Sequence, residues 1–182
     1  MKLQLALTLL VIAAPAALIA QAPPAPAVDT KNPIVWSAND VYARQAKYIV
    51  AAAELMPADK YSYKPTPEQM TFGKTIAHIV QSNFGICAML SGTPATAPKV
   101  TETDPKDTLI VALKASFDSC DKAFAGLQDA QLSDTITFFR GAKVPRARAL
   151  IEITGDLEDH YSQMAAYLRL NGMIPPSAAP KK

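Results

Sequence analysis

The chain has 182 residues, and its 18 basic and 16 acidic side chains give a formal net charge of +2 at pH 7. This nearly balanced charge, without a basic block, gives no electrostatic case for binding nucleic acid or an anionic membrane. The two cysteines do not form a Cys-x-x-Cys pair, which argues against a redox-catalytic role.

Residues 1–20 have the layout of a secretory signal peptide. Lys2 supplies a positive charge, an apolar run extends from Leu3 to Ala20, and small residues follow it. An uncleaved membrane anchor is the alternative, because about 20 apolar residues are enough to span a bilayer. Pro15 and the many alanines make a poor permanent span. We therefore expect cleavage, export to the periplasm or beyond the cell, and no stable membrane anchor afterwards.

The remaining chain predicts an all-α protein. Residues 21–35 are rich in Pro and Ala and are expected to form an extended lead-in. Thr71 is a good N-cap, Asp104-Pro105 is typical of a helix start, and Pro145 opens the last helix. The four predicted helices cover about 37–56, 72–90, 105–127 and 145–171.

The connections between these helices are long, and no internal repeat is present. Residues 134–140 have strand-like side chains and form either an extended crossing or a small hairpin with Gly141 at its bend. The predicted architecture is one four-helix bundle over residues 36–176, followed by a disordered tail at 177–182.

The last helix has two stripes at helical spacing. Its apolar stripe consists of Leu150, Ile153, Leu157, Tyr161, Met164 and Leu168. A polar row along its edge contains Asp156, His160, Gln163 and Tyr167, with Asp156 and His160 four residues apart on one face. Such a row marks either a ligand or metal site at the edge of the core, or a set of partly exposed side chains.

His78 and His160 are the only two histidines of the chain. The apolar stripe of the second helix leaves His78 away from its centre, on the side of Ser82 and Gly85. These small residues either allow a close approach by a helix or ligand, or belong to plain surface. Two histidines and a carboxylate meeting between helices would make a divalent-metal site. Composition alone does not make His78 a ligand.

Cys87 and Cys120 fall on consecutive predicted helices. Because export leads to an oxidising compartment, we expect a disulfide between them, with two buried thiols as the alternative. Closing a loop of this length would contribute roughly 3 kcal/mol on the chain-entropy model.

The sequence resembles the DinB-like family of helical bundles over nearly all of the mature chain. The matching segments are Phe-Gly-Lys-Thr-Ile-Ala-His-Ile at 72–79, a His-Tyr-x-Gln and Asn-Gly-x-x-Pro-Pro ending within 159–176, and the proline-rich segment 56–67. The resemblance implies a divalent metal, often zinc or nickel, held by three histidines. His78 and His160 take two of these positions, and Asp156 stands at the third. Two histidines and a carboxylate also suit iron or manganese.

The resemblance further implies a metal-dependent enzyme related to thiol transferases and isomerases. On chemistry alone, a metal that activates water, and hence a hydrolase, has similar weight. Gln163 and Tyr167 would then orient substrate or neighbouring groups. Two alternatives remain: an exported, non-catalytic bundle that binds a metal or small ligand, with homodimerisation through a helix face, or a structural bundle whose metal site is lost. The sequence does not identify a substrate.

Overall fold

The computed structural model describes residues 27–180. The predicted signal peptide (1–20), the first part of the lead-in (21–26) and the last two residues of the tail lie outside the described residues. None of the helices within 27–180 combines the length and apolarity that a membrane crossing requires.

The prediction of a four-helix bundle is confirmed. Helix α2 packs against α3 and α4, and α1 packs against α4 and α3, so each helix has two long neighbours. A two-stranded antiparallel hairpin is inserted between α3 and α4. The elements are α1 (Pro33–Leu55), α2 (Phe72–Ser91), α3 (Lys106–Ala125), β1 (Thr135–Thr137), β2 (Lys143–Pro145) and α4 (Ala147–Leu170).

The core lies between the apolar faces of the four helices. Every residue of the predicted apolar stripe of α4 is buried, and Ile153 and Leu157 are fully so. Helix α2 contributes Phe72, Ile76 and Ile79 in the same way. The 3.6-residue periodicity of the sequence therefore identified which face of α2 and of α4 points inward.

The first helix begins earlier than predicted. Its first residue is Pro33, whereas the sequence suggested a start near Ser37 and an extended lead-in through residue 35. The Asp129 carboxylate accepts hydrogen bonds from the backbone N–H groups of Ile34 at 3.0 Å and Val35 at 2.8 Å. These are among the N–H groups that a helix N-terminus leaves without an internal partner. Because Asp129 lies far from α1 in sequence, the residues around the helix start do not indicate this cap.

Two other helix starts differ from the prediction. Helix α3 has Pro105 at its N-cap, because the Asp104 carboxylate accepts instead from the backbone N–H of Thr101 at 2.6 Å. Pro145 does not open α4, since it pairs within strand β2, and α4 begins at Ala147. In both cases a residue that favours a helix start makes its contacts within the connection before the helix instead.

The start of α2 is fixed by two contacts. Thr71 caps the helix as predicted, with its hydroxyl oxygen accepting from Lys74 N–H at 3.0 Å. Gly73 lies so close to the 102–107 segment that a Cβ there would be 2.9 Å from the backbone oxygen of Glu102. Glycine is thus required for the packing of the connection before α3 against the N-terminus of α2.

The C-terminal segment contains one more short element after α4. Residues 176–178 form a 3₁₀ turn, and the N–H of Ser177 donates to the Tyr161 hydroxyl of α4 at 2.8 Å. This turn packs against α1. The disordered tail predicted at 177–182 thus begins within this turn, and its last two residues lie outside the described residues.

Cys87 of α2 and Cys120 of α3 are joined by a disulfide, with a Cα–Cα distance of 5.1 Å. Both residues are buried. The bond links the two helices in the core, on the α3 side of α2.

Candidate metal centre

His78, Asp156 and His160 come together between α2 and α4. Their potential ligand atoms all lie within 4.8 Å of one another. The two imidazole rings meet edge to face, with centroids 4.8 Å apart and an interplanar angle of 74°. Within residues 27–180 this is the one group of three or more His, Cys, Asp or Glu side chains close enough to hold a single ion.

Asp156, which is partly buried, and His160, which is buried, form the inner side of the cluster. Oδ1 of Asp156 lies 3.3 Å from Nε2 of His160. Two ligands of one tetrahedral zinc ion lie about 3.4 Å apart, given ligand distances of about 2.0–2.2 Å. His160 is only 5% exposed, and both Oδ2 of Asp156 and Nδ1 of His160 are buried without a hydrogen-bond partner in the described structure. A bound cation would satisfy the carboxylate, so these residues fit a metal.

His78 forms the exposed side of the cluster. Its Nε2 lies 3.4 Å from the hydroxyl oxygen of Ser82, one turn further along α2. Burial of the ring, and then the nearby His160, lower the pKa of His78, while Asp156 acts in the opposite direction. The neutral imidazole, which is the form that ligates metals, is thereby favoured.

Two clefts meet at His78. One, of about 720 Å³, lies between α2, α4 and the hairpin, and it is lined by His78, Asp156, Ser82, Glu152, Phe139 and Arg140 among others. The second, of about 360 Å³, is lined by His78 with Met70, Ala77 and Val100 and has a more apolar wall. His78 is thus accessible to a small molecule from both clefts, and Asp156 from the first of them.

A larger cleft, of about 840 Å³, lies between residues 58–62 and 102–107. None of the cluster residues lines it. Several of its carboxylates are exposed at the surface, and it contains no histidine or cysteine. The chemistry of the side chains, rather than the size of the cavity, therefore identifies the candidate site.

Gln163 and Tyr167 make their hydrogen bonds away from the cluster. The amide of Gln163 donates to the carboxylate of Asp159 at 2.8 Å. The Tyr167 hydroxyl donates to the backbone oxygen of Met70 at 3.0 Å, and burial raises its pKa. Tyr167 therefore holds the segment before α2 in place, and within the described residues its hydroxyl makes no hydrogen bond to His78, Asp156 or His160.

The hairpin contributes two residues to the cleft that the sequence did not suggest. Phe139 and Arg140 stand at the hairpin tip, opposite the α2 face that carries Ser82 and Gly85. The small Gly85 faces the Phe139 ring, with 4.0 Å between a Cβ built there and Cε1. The available signal was the Arg-Gly pair at the predicted bend, but the sequence does not show which helices that bend approaches.

Residues 42–164 match the family model of the DinB superfamily, which is more than half of the chain. The chain belongs to the DinB superfamily. No sequence among the curated proteins matches this DinB-superfamily member.

Solved structures share the fold. A DinB-like protein from Bacillus cereus is 16% identical with a TM-score of 0.64, and the match covers 76% of this chain and 93% of that protein. A DinB-like protein from Bacillus subtilis is 21% identical with a TM-score of 0.62, covering 75% and 92%. A mycothiol-dependent maleylpyruvate isomerase is 14% identical with a TM-score of 0.59, covering 71% of this chain but only 60% of the isomerase. At these identities the likeness establishes the fold alone.

Proposed function

We propose that this DinB-superfamily protein binds a divalent metal ion through His78, Asp156 and His160 and acts as a metal-dependent transferase or hydrolase. The observation that carries the proposal is the buried Oδ2 of Asp156, which has no partner in the described structure, on a carboxylate that clusters with two imidazoles. An unpaired buried carboxylate oxygen costs free energy, and a cation at this point removes the cost. Zinc and nickel suit the imidazoles best, and the carboxylate also suits iron and manganese.

The ion, when bound, lowers the pKa of a thiol or a water and so supplies a nucleophile near neutral pH. The protein's own residues fix where this happens. His160 and Asp156 are held on the rigid α4 helix, and the exposed His78 stands at the junction of the two clefts. Three protein ligands leave positions open for a reactant.

The structural relatives favour a thiol over water as the reactant. One of them is named for its dependence on mycothiol, a small thiol. We also propose that residues 1–20 direct export, as their signal-peptide pattern suggests. The thiol would then be one available outside the cytoplasm.

A non-catalytic metal- or ligand-binding bundle is the second candidate. Apart from the proposed ligands, Glu152 and Arg140 are the only ionisable residues among those lining the larger of the two clefts at His78. Glu152 is paired with Arg148, so neither it nor Arg140 is a free general base. The lack of a free general base among the residues lining this cleft favours a binding role over catalysis.

The deciding experiment measures metal binding by the protein purified without a metal-affinity tag. Elemental analysis and calorimetric titration with zinc, nickel, manganese and iron(II) are performed on the wild type, His78→Ala, His160→Ala and Asp156→Asn. Asp159→Asn is the matched control, because Asp159 is an exposed carboxylate on the same helix. We expect near-stoichiometric metal in the wild type and control, and its loss in the other three variants.

Turnover then separates the two candidates. The rates to measure are conjugation of cysteine to 1-chloro-2,4-dinitrobenzene and hydrolysis of p-nitrophenyl acetate, with and without metal. Metal-dependent rates that His160→Ala abolishes would support the enzyme. Metal binding without either activity would support the non-catalytic bundle. If no metal binds and none raises the melting temperature, both candidate functions are overturned. The protein would then be a structural bundle whose metal site is lost.

A further inference from the structure

The tip of the β1–β2 hairpin carries an unusual backbone conformation. Arg140 has φ 57° and ψ 23°, and within residues 27–180 it is the only non-glycine residue with positive φ. The following Gly141 has φ 81°. The left-handed region is disfavoured for a side chain such as arginine, and a residue held there often has a functional reason.

The hairpin is held firmly enough to position this residue. Ile136 pairs with Val144 in the ladder, and Phe138 is buried next to the Phe139 ring, with ring centroids 4.7 Å apart. The N–H of Phe138 also donates to the oxygen of Ala142 at 2.7 Å across the turn. The tip is therefore a defined structure at the mouth of the cleft.

Arg140 lines the same cleft as His78 and Asp156. It differs from the other cations nearby, because its guanidinium makes no hydrogen bond or ion pair with any residue of the described chain. Arg146 pairs with Asp134 and donates to the oxygen of Leu90, while Lys143 donates to Thr137. The guanidinium of Arg140, an exposed residue at the edge of this cleft, therefore keeps its five N–H donors available for a ligand.

The charges around the cleft make an anion the matching ligand. Glu152 is already neutralised by Arg148. The positive charge of a divalent ion at the cluster would exceed the negative charge of the Asp156 carboxylate. Arg140 would add a further positive charge on the hairpin side of the cleft. An anionic group in the cleft would be attracted by both.

We propose that Arg140 binds the carboxylate of a small substrate whose other end reaches the metal centre. This inference rests on the proposed function and assigns its substrate class, a carboxylate-bearing small molecule and in the favoured case a thiol carboxylate. The planar guanidinium fork of arginine matches a carboxylate with two parallel hydrogen bonds, which fixes orientation as well as charge. A cleft of about 720 Å³ accommodates a molecule of this size.

The test compares 3-mercaptopropionate with its neutral counterpart 3-mercapto-1-propanol. Both are titrated into the cobalt(II)-loaded protein, and binding is followed through its visible spectrum. The variants are Arg140→Gln and Arg140→Gly, the latter because glycine adopts positive φ without strain. Lys143→Gln is the matched control, since Lys143 belongs to the same hairpin but does not line the cleft.

We expect the wild type and Lys143→Gln to bind the carboxylate about tenfold more tightly than the alcohol, the strength of one charge-assisted contact. Both Arg140 variants should lose this preference and bind the alcohol as before. Equal binding of the two compounds by the wild type, or a preference that survives in both variants, would overturn the role of Arg140 while leaving the metal centre intact. Failure to load cobalt would instead overturn the metal centre, and this inference with it.

Discussion

The carboxylate of Asp156 and the imidazole of His160 lie one helical turn apart on α4, with 3.3 Å between Oδ1 and Nε2. This separation allows either a hydrogen bond or a common metal ion. The hydrogen bond alone leaves Oδ2 buried and without a partner in the described structure. The chain thus holds a carboxylate at a position where the DinB-like resemblance implies a histidine, and the metal preference should follow from that difference.

Asp156→His should shift the metal preference toward zinc and nickel. Imidazole is the better ligand for these ions, whereas a carboxylate favours manganese and iron. We expect the ratio of the manganese to the zinc dissociation constant to rise by at least about tenfold, which corresponds to about 1.4 kcal/mol. Competitive titration with a chromogenic chelator measures this ratio for both proteins.

The control for this exchange is Asp159→His, which adds an imidazole to an exposed position of the same helix. It should leave the ratio of dissociation constants unchanged. The same ratio for Asp156→His and the wild type would show that residue 156 does not ligate the ion.

Tyr167→Phe should destabilise the fold without affecting metal binding. The substitution removes the hydrogen bond from the hydroxyl to the oxygen of Met70 and retains the ring. We expect a loss of about 0.5–1.5 kcal/mol in the free energy of unfolding, measured by urea denaturation. Tyr63→Phe is the control, because the Tyr63 hydroxyl makes no hydrogen bond within the described residues. A large loss of metal affinity in Tyr167→Phe would instead support the role in the site that the sequence suggested.

Periodicity and capping rules predicted the parts of the fold that short segments determine. The inward face of α4 and the Thr71 cap of α2 follow from residues within one or two turns of each other. The start of α1 depends on Asp129, which is more than ninety residues away in sequence. Such contacts are set by the assembled bundle and leave no local pattern.

For the candidate site as well, the sequence predicted what local spacing determines and missed what the packing of the bundle determines. The sequence placed Asp156 and His160 on one face, because their spacing of four residues is enough to do so. By its position on the second helix His78 was equally suited to the surface, and only its similarity to the DinB-like pattern connected it to the other two. Arg140 was missed altogether, since the approach of the hairpin tip to α2 depends on how the bundle packs.

The Cys87–Cys120 disulfide should contribute to stability and not to metal binding. It closes a sequence separation of 33 residues, for which the chain-entropy model gives about 3–4 kcal/mol. Reduction with dithiothreitol should lower the urea midpoint of the wild type accordingly. The Cys87→Ala, Cys120→Ala double variant should be insensitive to the reductant and should bind metal with unchanged stoichiometry.

Gel mobility with and without reductant checks the bond directly. Identical mobility and mass in the two forms of the wild type would contradict it. Loss of metal from the double variant, if it remains folded, would indicate that a cysteine takes part in the site.

Two glycines in helices should respond in opposite directions to the same substitution. A Cβ at Gly73 would lie 2.9 Å from the backbone oxygen of Glu102, whereas one at Gly155 of α4 would meet nothing within 4 Å. Because backbone cannot move aside as a flexible side chain does, Gly73→Ala should destabilise the protein by about 1–3 kcal/mol. Gly155→Ala should stabilise it by about 0.5–1 kcal/mol, since alanine favours the helix more than glycine.

Urea denaturation of the two single variants and the wild type measures both effects. The double variant should show the sum of the two changes, because the sites share no contact. Stabilisation by Gly73→Ala would mean that the 102–107 connection does not pack against the start of α2. The walls of the 360 Å³ cleft, to which both Glu102 and His78 belong, would then be arranged differently.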